Sequence, residues 1–121
     1  MPIYGDGNQI REWIHVDDNC RGVFAVLENG KPGEVYNIAG TDEFQNIELA
    51  RKIISYFGKN EEETFEFVAD RKGHDIRYSL TGNKIRKELG VEPKIEFETG
   101  LRETIDWYVA NESWWRPLLK K

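Results

Sequence analysis

The chain is predicted to adopt an α/β fold with a short, mostly parallel sheet and about four helices. Two observations support this prediction. Short runs of strand formers alternate along the chain with longer segments in which apolar residues recur at helical spacing. Glycine or asparagine follows most of the helical segments, where it can end a helix. Such alternation requires at least part of the sheet to be parallel, and the length suits one unit spanning residues 1–121.

The first strand and helix are expected close to the N-terminus. Residues 11–16 (REWIHV) follow a glycine turn and alternate polar and apolar side chains, as a short strand does. Asp17 or Asp18 can then cap a helix that extends to Glu28, because a short carboxylate accepts hydrogen bonds from the free amides of the first turn. The buried stripe of this helix is expected to comprise Cys20, Val23, Phe24 and Leu27.

A second strand and helix follow. Residues 33–40 (GEVYNIAG) form a compact apolar run between glycines and predict a strand inside a covered sheet. Asn46 occupies the N-cap position of a helix that stops at Gly58. The apolar residues at helical spacing in this segment are Ile47, Ala50, Ile53, Ile54 and Phe57.

The second half of the chain continues the alternation. Residues 64–68 (TFEFV) predict a strand, and the charged run before it, 59–63 (KNEEE), is interpreted as a loop. A short helix is expected at 81–90, between a threonine cap and a glycine stop, and 92–97 is predicted to be extended. The last helix is expected at about 99–111, with an apolar face formed by Leu101, Ile105, Tyr108 and Val109.

The composition argues against several classes of function. The formal net charge of −5 is unfavourable for a general nucleic-acid surface, so a bound anion requires a local basic cluster. The single cysteine, Cys20, cannot form an internal disulfide, and the two histidines, His15 and His74, supply no zinc spacing. No apolar run approaches the roughly 20 residues of a membrane span, and the N-terminus lacks a signal-peptide pattern. We therefore expect a soluble, cytoplasmic protein that binds neither nucleic acid nor membrane.

A loop rich in both signs of charge follows the third predicted strand, at residues 69–78 (ADRKGHDIRY). It offers phosphate donors at Arg71, Lys72, His74 and Arg77, and a guanidinium can bind phosphate through two parallel hydrogen bonds. The alternative is a solvated loop held by structural salt bridges, because charged runs between elements commonly lie at the surface. The residues alone leave both interpretations open.

Other residues of this loop bear on its shape. Gly73 permits a positive φ angle or a close approach of the backbone to a ligand. Asp70 and Asp75 either orient the arginines or cap the turn. Elsewhere, Arg11 is the natural second phosphate ligand if its segment meets this loop, and is otherwise an exposed strand charge. Asn46 is interpreted first as a helix cap, although a helix N-terminus that faces a pocket is also an anion site.

Several catalytic patterns are missing from the sequence. It contains no GxGxxG or GxxGxxG dinucleotide fingerprint, no nucleophile elbow and no tyrosine followed four residues later by lysine. The glycine turn GDG lacks the spacing and lysine of a phosphate-binding P-loop. The residues therefore indicate binding chemistry without a recognisable catalytic base or nucleophile.

The combination of motifs in this chain resembles the C-terminal part of the dTDP-glucose 4,6-dehydratases. These enzymes belong to the extended short-chain dehydrogenase/reductase family. The motifs lie in the family's order and cover nearly all of the chain: PIYGDGNQIREWIHVDD, GEVYNIAG, EFQN, VADRKGHDIRY, KELG and DWYVANESWW. The resemblance implies a Rossmann-like fold without the classical nucleotide loop. It also implies a reaction in which bound NAD takes up and returns a hydride while water is eliminated, which yields a 4-keto-6-deoxy sugar.

The resemblance further implies a nucleotide-sugar site. Its diphosphate would be held by Arg11, Asn46, Arg71 and His74, and its nucleobase end would be lined by Pro2, Ile3 and Tyr4. The complete implied set is Pro2, Ile3, Tyr4, Arg11, Asn46, Asp70, Arg71, Lys72, Gly73 and His74. The chain departs from the family pattern at Lys72, usually a proline, which makes the loop more basic, and at Thr81, commonly an aspartate, which changes a helix cap.

Larger parts of the family pattern lie upstream of Met1, which corresponds to an internal position of that pattern. These parts are the NAD loop, the Tyr-x-x-x-Lys pair and the Thr-Asp-Glu segment. We therefore expect a chain that contains no cofactor by itself, is inactive alone, and forms a homo-oligomer or joins a companion chain that supplies the NAD domain. The adjacent Trp114 and Trp115 also suggest a docking surface.

Three functional hypotheses remain open from the sequence. The first is the dTDP-hexose-binding part of a dTDP-glucose 4,6-dehydratase. The second is a non-catalytic interaction or structural module that self-associates. The third is a fragment of a UDP-sugar epimerase, because related epimerases share YGDG and a strand like YNIAG, although DRKGHDIRY together with the terminal tryptophan motif favours the dehydratases.

Overall fold

The computed structural model describes residues 1–119, and their strands alternate with helices as predicted. The strands are β1 (Pro2–Tyr4), β2 (Ile10–Trp13), β3 (Asp42–Gln45), β4 (Glu66–Val68) and β5 (Arg77–Tyr78). The helices are α1 (Val16–Asn29), α2 (Asn46–Tyr56), α3 (Glu61–Thr64), α4 (Asn83–Leu89), α5 (Phe97–Ala110) and α6 (Glu112–Trp115), followed by a 3₁₀ turn at Arg116–Leu119. The α/β class is confirmed, and the two four-residue helices α3 and α6 are additional to the four that were predicted.

The strands form two small sheets. In the first, β1 pairs with β4 in parallel. In the second, the order is β3-β2-β5, in which β2 is antiparallel to β3 and parallel to β5. Two of these three pairings are parallel, so the mostly parallel arrangement is confirmed within the described residues.

The start of α1 differs from the sequence prediction. His15, and not Asp17 or Asp18, is the N-cap, and its Nδ1 accepts a hydrogen bond from the Asp17 amide at 3.3 Å. The strand β2 accordingly ends at Trp13, three residues earlier than predicted. Asp18 instead turns inward, where its carboxylate accepts from the backbone amides of the segment before α5.

The predicted buried stripe of α1 lies in solvent. Val23, Phe24 and Leu27 are 56%, 58% and 79% exposed, and Cys20 is exposed as well. The face of α1 that does pack carries Gly22, where an added Cβ would lie 2.9 Å from the Ile38 side chain. The prediction was wrong because periodicity shows that a helix has an apolar side, not that a neighbour covers that side.

Residues 33–40 do not form a strand. They enter no backbone ladder among the described residues, and Val35 is 76% exposed. A strand requires a neighbour to accept and donate its backbone hydrogen bonds, and here Lys84 Nζ donates to the Val35 carbonyl oxygen at 2.9 Å. The strand predicted at 33–40 was therefore wrong, because an apolar composition does not by itself provide a neighbouring strand.

The core is small and is built around α2. Ile3, Ile47 and Ala50 form a buried cluster against which Phe65 packs. Most of the predicted α2 stripe is confirmed, although Phe57 follows the helix and is half exposed. The N-cap is the residue before Asn46: Gln45 donates its amide to Glu48 Oε2 at 2.8 Å.

The second half departs from prediction mainly at element ends. The KNEEE run contains α3, because the Asn60 side chain caps it by accepting from the Glu63 amide at 2.9 Å. The segment before α5 is not a strand, and α5 begins at Phe97 behind a Glu96 cap. Helix α4 begins two residues after Thr81 and ends, as predicted, at a left-handed glycine. No helix within the described residues is long and apolar enough to span a membrane.

Candidate functional site

Two loops run side by side between the small sheets. The first loop (residues 5–9) joins β1 to β2, and the second loop (residues 69–76) joins β4 to β5. At one end the Gly5 amide donates to the last carbonyl oxygen of β4 at 2.9 Å. At the other end the Ile10 amide donates to the Ile76 carbonyl oxygen at 2.8 Å. The parallel pairing of the flanking strands therefore brings together two segments that are far apart in sequence.

The N-terminus of α2 joins the same region. The Asn46 amide donates to the Gln9 carbonyl oxygen at 3.0 Å, and the Ile47 amide donates to the Gly7 carbonyl oxygen at 3.0 Å. The segments that contain the predicted ligands Arg11 and Asn46 and the second loop are therefore adjacent in space.

Asp70 connects the two loops. Its Oδ1 lies 2.6 Å from His74 Nδ1 and accepts from the Arg71 amide at 2.8 Å, while Oδ2 accepts from Gln9 Nε2 at 3.1 Å. The hydrogen bond from His74, supported by the one from the Arg71 amide, holds the pKa of Asp70 below its ordinary value. An ionised carboxylate can only accept, so the His74 proton is on Nδ1. Asp70 was expected either to orient the arginines or to cap the turn, and these contacts favour the second role.

Residues 71–74 form a tight turn. The His74 amide donates to the Arg71 carbonyl oxygen at 3.2 Å, and Gly73 has a φ angle of +72°. The predicted positive φ is confirmed, and Lys72 and Gly73 are exposed at the tip. The His74 side chain is only 6% exposed. Because its Nδ1 is hydrogen-bonded to Asp70, only Nε2 can form a hydrogen bond with a ligand.

Arg11 is held against an aromatic ring. It is the register partner of Tyr78 on the parallel strands β2 and β5, and its Cζ lies 4.5 Å from the centre of the Tyr78 ring. Its guanidinium also donates to the carbonyl oxygens of Ile10 at 2.6 Å and Asp75 at 3.0 Å. A cation over an aromatic face is attracted to it, and these contacts fix the orientation of the guanidinium before any ligand arrives.

Arg71 belongs to the second loop and faces a different tyrosine. Its Cζ lies 6.0 Å from the centre of the Tyr4 ring. The hydrogen bond from the Tyr78 hydroxyl to Asp75 raises the pKa of Tyr78, and the positive charges of Arg11 and Arg71 both oppose that rise. Both guanidinium groups therefore lie within electrostatic range of one hydroxyl group, because the interaction falls with distance. Arg11 lies over the Tyr78 ring, and the charge of Arg71 also acts on that residue.

The arginines of the second loop and β5 differ in their partners. Arg77 donates to both carboxylate oxygens of Glu43, at 3.0 and 2.7 Å. The Arg71 guanidinium, in contrast, makes no side-chain hydrogen bond or ion pair within residues 1–119. The salt-bridge explanation of this charged segment therefore applies to Arg77 and leaves the Arg71 cation available to an anion.

The predicted nucleobase end lies on β1. Pro2 and Tyr4 are exposed, Tyr4 by 48%, whereas Ile3 belongs to the core at 6% exposure. Side chains alternate between the two faces of a strand, so Pro2 and Tyr4 are the side chains that a base can contact.

Sequence reasoning missed two members of this cluster, Tyr78 and Gln9. The sequence could have indicated Tyr78, because an aromatic residue at the end of a basic segment is a frequent partner for a guanidinium. It could not have indicated Gln9, because an uncharged residue in a turn shows nothing about burial. Its importance appears only in its contacts with Asp70 and Asn46.

A separate groove of about 820 Å³ lies between the start of α1 and helices α2 and α5. None of the ten predicted site residues lines it. Its floor is largely apolar, and Trp13, Phe97 and Trp107 are among its lining residues. Such a floor suits packing against further polypeptide better than binding of a diphosphate.

Comparison with known proteins places this geometry in a family. A family model described as GDP-mannose 4,6 dehydratase matches residues 1–104. The chain is similar to dTDP-glucose 4,6-dehydratase of Streptomyces niveus, with 48% identity over 118 residues, which are 98% of this chain and 35% of that protein.

Solved structures give the same result. The chain is similar to DesIV, a dTDP-glucose 4,6-dehydratase from Streptomyces venezuelae with NAD and TYD bound, at a TM-score of 0.92 and 48% identity. That match covers 98% of this chain and 36% of DesIV. A UDP-glucuronic acid 4-epimerase from Bacillus cereus, in complex with UDP-glucuronic acid and NAD, matches at a TM-score of 0.80 and 28% identity over 90% of this chain and 35% of its own.

The chain thus spans about a third of the length of these relatives. The resemblance to dTDP-glucose 4,6-dehydratases, inferred from the motifs, is confirmed by both comparisons. Since the family model covers most of the chain and the fold agrees, this chain belongs to the GDP-mannose 4,6 dehydratase family, within the extended short-chain dehydrogenase/reductases.

Proposed function

We propose that this chain binds the diphosphate and nucleobase of a dTDP-hexose, as the substrate-binding part of a dTDP-glucose 4,6-dehydratase of deoxysugar biosynthesis. The diphosphate lies between the two arginines, with Asn46 and Lys72 as further donors. Asp70 and Gly73 shape the turn that presents Arg71, and His74 contributes through that turn or through its Nε2. The nucleobase lies over β1, at Pro2 and Tyr4, where Ile3 supplies backbone.

The proposal rests on two arginines: Arg11, which is held over the Tyr78 ring, and Arg71, which has no acidic partner in residues 1–119 and whose charge also acts on Tyr78. A diphosphate carries two negative charges, and in a chain with a net charge of −5 a local group of cations is needed to bind it. Arg71 has no acidic partner in residues 1–119, so a ligand phosphate would not displace an existing ion pair there. Both arginines adjoin exposed tyrosines, which provide aromatic faces for a base.

NAD does not fit the residues of this chain. A dinucleotide places its pyrophosphate at a free helix N-terminus behind a glycine-rich turn. Each long helix here carries carboxylates in its first turn or at its cap: Asp17 and Asp18 in α1, Glu48 in α2, and Glu96 and Glu98 in α5. These groups compete for the free amides and repel a phosphate. Asn46 therefore contributes its side chain to the proposed site more than the helix terminus behind it.

We further propose that the chain has no dehydratase activity by itself. DesIV contains NAD in its structure, and this sequence has neither a dinucleotide fingerprint nor a Tyr-x-x-x-Lys pair. Activity would require a companion, or a larger chain, that supplies the cofactor segment. The exposed side of α1 is a surface that suits such a partner, because it presents the apolar side chains of Val23, Phe24 and Leu27 to solvent.

Isothermal titration calorimetry with dTDP tests the binding proposal. Arg71→Ala should weaken binding at least tenfold, because a hydrogen bond to a charged group contributes about 1.5–3 kcal/mol. Arg77→Ala is the matched control: it removes an equal charge nearby, but that charge is already paired with Glu43. Equal losses for both variants, or no heat with the unmodified chain, would rule out the proposal.

Measurements on the same purified chain distinguish this proposal from two alternative functions. A non-catalytic module would self-associate through the exposed face of α1, with sedimentation that depends on protein concentration and does not respond to dTDP. An epimerase fragment is favoured by the similarity to the UDP-glucuronic acid 4-epimerase, and it would bind UDP more tightly than dTDP.

A further inference from the structure

We infer that Gln9 is a positioning residue of the proposed diphosphate site, which acts through Asp70 to hold the turn at 71–74 in place. The inference rests on the proposed function, and it concerns a residue to which the sequence analysis assigned no role, although it lies within the motif PIYGDGNQIREWIHVDD. Gln9 is 8% exposed and lies in the first loop, between the second loop and α2.

Gln9 contacts all three segments of the site. It belongs to the first loop, its carbonyl oxygen accepts from the Asn46 amide at 3.0 Å, and its Nε2 donates to Asp70 Oδ2 at 3.1 Å. The other oxygen of Asp70 accepts from the Arg71 amide and pairs with His74 Nδ1. A continuous path of hydrogen bonds therefore leads from α2 through Gln9 and Asp70 to the turn that carries Arg71.

The side chain of Gln9 is poorly suited to a purely stabilising role. Its Oε1 is buried and has no hydrogen-bond partner in the described part of the chain. A buried acceptor without a partner is unfavourable, and an apolar side chain of the same shape would avoid that cost. The side-chain nitrogen Nε2 is thus the polar atom of the Gln9 side chain that makes a hydrogen bond, and its acceptor is Asp70.

Asp18 provides the contrast. It is also a buried polar residue, at 2% exposure. Its carboxylate accepts from the amides of Lys94 and Ile95 and from Arg21, so both of its oxygens are used within the fold. Asp18 joins α1 to the segment before α5, away from the ten site residues. Gln9 instead leads to the site and leaves one of its own polar atoms without a partner.

The mechanism follows from the geometry of Asp70. Without the Gln9 donor, Asp70 can rotate about its side-chain bonds, and the two hydrogen bonds at Oδ1 lose their fixed direction. The turn would then sample more conformations, and ordering it on binding would cost conformational entropy. The Arg71 cation would remain, but it would be less well placed.

The test compares the unmodified chain with Gln9→Met, which keeps the shape and removes the donor. Binding of dTDP is expected to weaken about 2- to 12-fold, the effect of one net hydrogen bond. The melting temperature should not fall, because the buried acceptor is removed as well. A long-range ¹H–¹⁵N NMR spectrum should show His74 with its proton on Nδ1 in the unmodified chain and a mixture of tautomers in the variant.

A lower melting temperature with unchanged dTDP affinity and unchanged His74 tautomer would mean that Gln9 is structural, and would overturn the inference. Unchanged values in all three measurements would overturn it as well. If the unmodified chain does not bind dTDP, the proposed function fails, while a tautomer change in Gln9→Met would still support the link from Gln9 to His74. Gln9→Glu is the second variant should Gln9→Met not fold: its carboxylate faces Asp70, and it should weaken dTDP binding more than tenfold.

Discussion

Arg11 and Tyr78 are neighbours on two parallel strands, with the guanidinium carbon 4.5 Å from the centre of the ring. Sixty-six positions of sequence separate them, and the pairing of β2 with β5 brings them together. The ring, the two carbonyl oxygens and the strand backbone hold Arg11 in one orientation. A preorganised cation of this kind loses little entropy when it binds an anion.

Arg11→Ala is predicted to weaken dTDP binding by about 1.5–3 kcal/mol, because one charged hydrogen bond to phosphate is lost. Calorimetry measures the change. Arg11→Lys should recover only part of it, since an ammonium retains the charge but not the planar fork that stacks on the ring. Arg51→Ala, which removes an arginine paired with Glu61, is the control and should bind normally. Normal binding by Arg11→Ala would remove Arg11 from the site.

Gly5→Ala is predicted to weaken both stability and dTDP binding. Gly5 has a φ angle of +60°, and an added Cβ would lie 3.1 Å from Asp70 Oδ2. A left-handed conformation costs a residue with a side chain about 1–2 kcal/mol, and the methyl group would also displace Asp70. Chemical denaturation and calorimetry report the two effects.

Gly33→Ala is the matched comparison for that experiment. Gly33 also has a positive φ angle, +82°, but an added Cβ would meet nothing within 4 Å. It should lose a similar amount of stability and keep its affinity for dTDP. If both variants bind dTDP equally well, the Gly5–Asp70 contact does not matter for the site.

The stability of the chain is predicted to fall at acid pH through Asp18. Burial by itself would raise the pKa of Asp18, but hydrogen bonds from the Ile95 and Lys94 amides and the charge of Arg21 together hold that pKa below its ordinary value of 3.8. A lowered pKa in the folded state contributes stability above the ordinary value, and that contribution is lost as the pH falls through the folded-state pKa.

Urea unfolding between about pH 5 and pH 2, a range that brackets an ordinary aspartate pKa, checks this prediction. Asp18→Asn keeps an acceptor but does not titrate, so its free energy of unfolding should change less with pH than that of the unmodified chain. Asp18→Ala leaves the buried amides and Arg21 without a partner and should lose about 3 kcal/mol at neutral pH. Parallel pH profiles for the unmodified chain and Asp18→Asn would contradict the assignment.

The exposed side of α1 is predicted to cause self-association when the chain is alone. Phe24 and Leu27 are 58% and 79% exposed. Sedimentation velocity should show a weight-average mass that rises with concentration. Leu27→Glu should reduce that rise by placing a charge on the apolar face, whereas Asn19→Glu, which adds the same charge at another exposed position of α1, should not. A concentration-independent monomer would show that this face has no partner of its own kind.

The helices were the most predictable part of the fold. The spacing of Ile47, Ala50 and Ile54 predicted α2 and its buried side, and Gly90 predicted the end of α4. Both depend on residues a few positions apart, within one element. The ends were less predictable, since His15 rather than an aspartate caps α1. Several side chains can accept the same amide, and neighbouring elements decide which one does.

The site was predictable in composition and not in arrangement. The motif ADRKGHDIRY identified the arginines and the glycine of the turn at 71–74. It did not show that Arg77 is neutralised by Glu43 while Arg71 is left without an acidic partner in residues 1–119. It also did not show that the His74 ring is buried against Asp70. These outcomes depend on which strand lies next to which.

By itself the sequence determined the groups that are present and the local turns and helices, because those follow from side-chain chemistry and from contacts between residues close in the chain. Only the tertiary structure decided that Arg11 lies over the Tyr78 ring, that Gln9 joins three segments, and that the apolar side of α1 faces solvent. Parallel strand pairing links distant segments through backbone hydrogen bonds, and backbone groups are the same for every residue. The register that places Arg11 beside Tyr78 is therefore set by the packing of the whole fold.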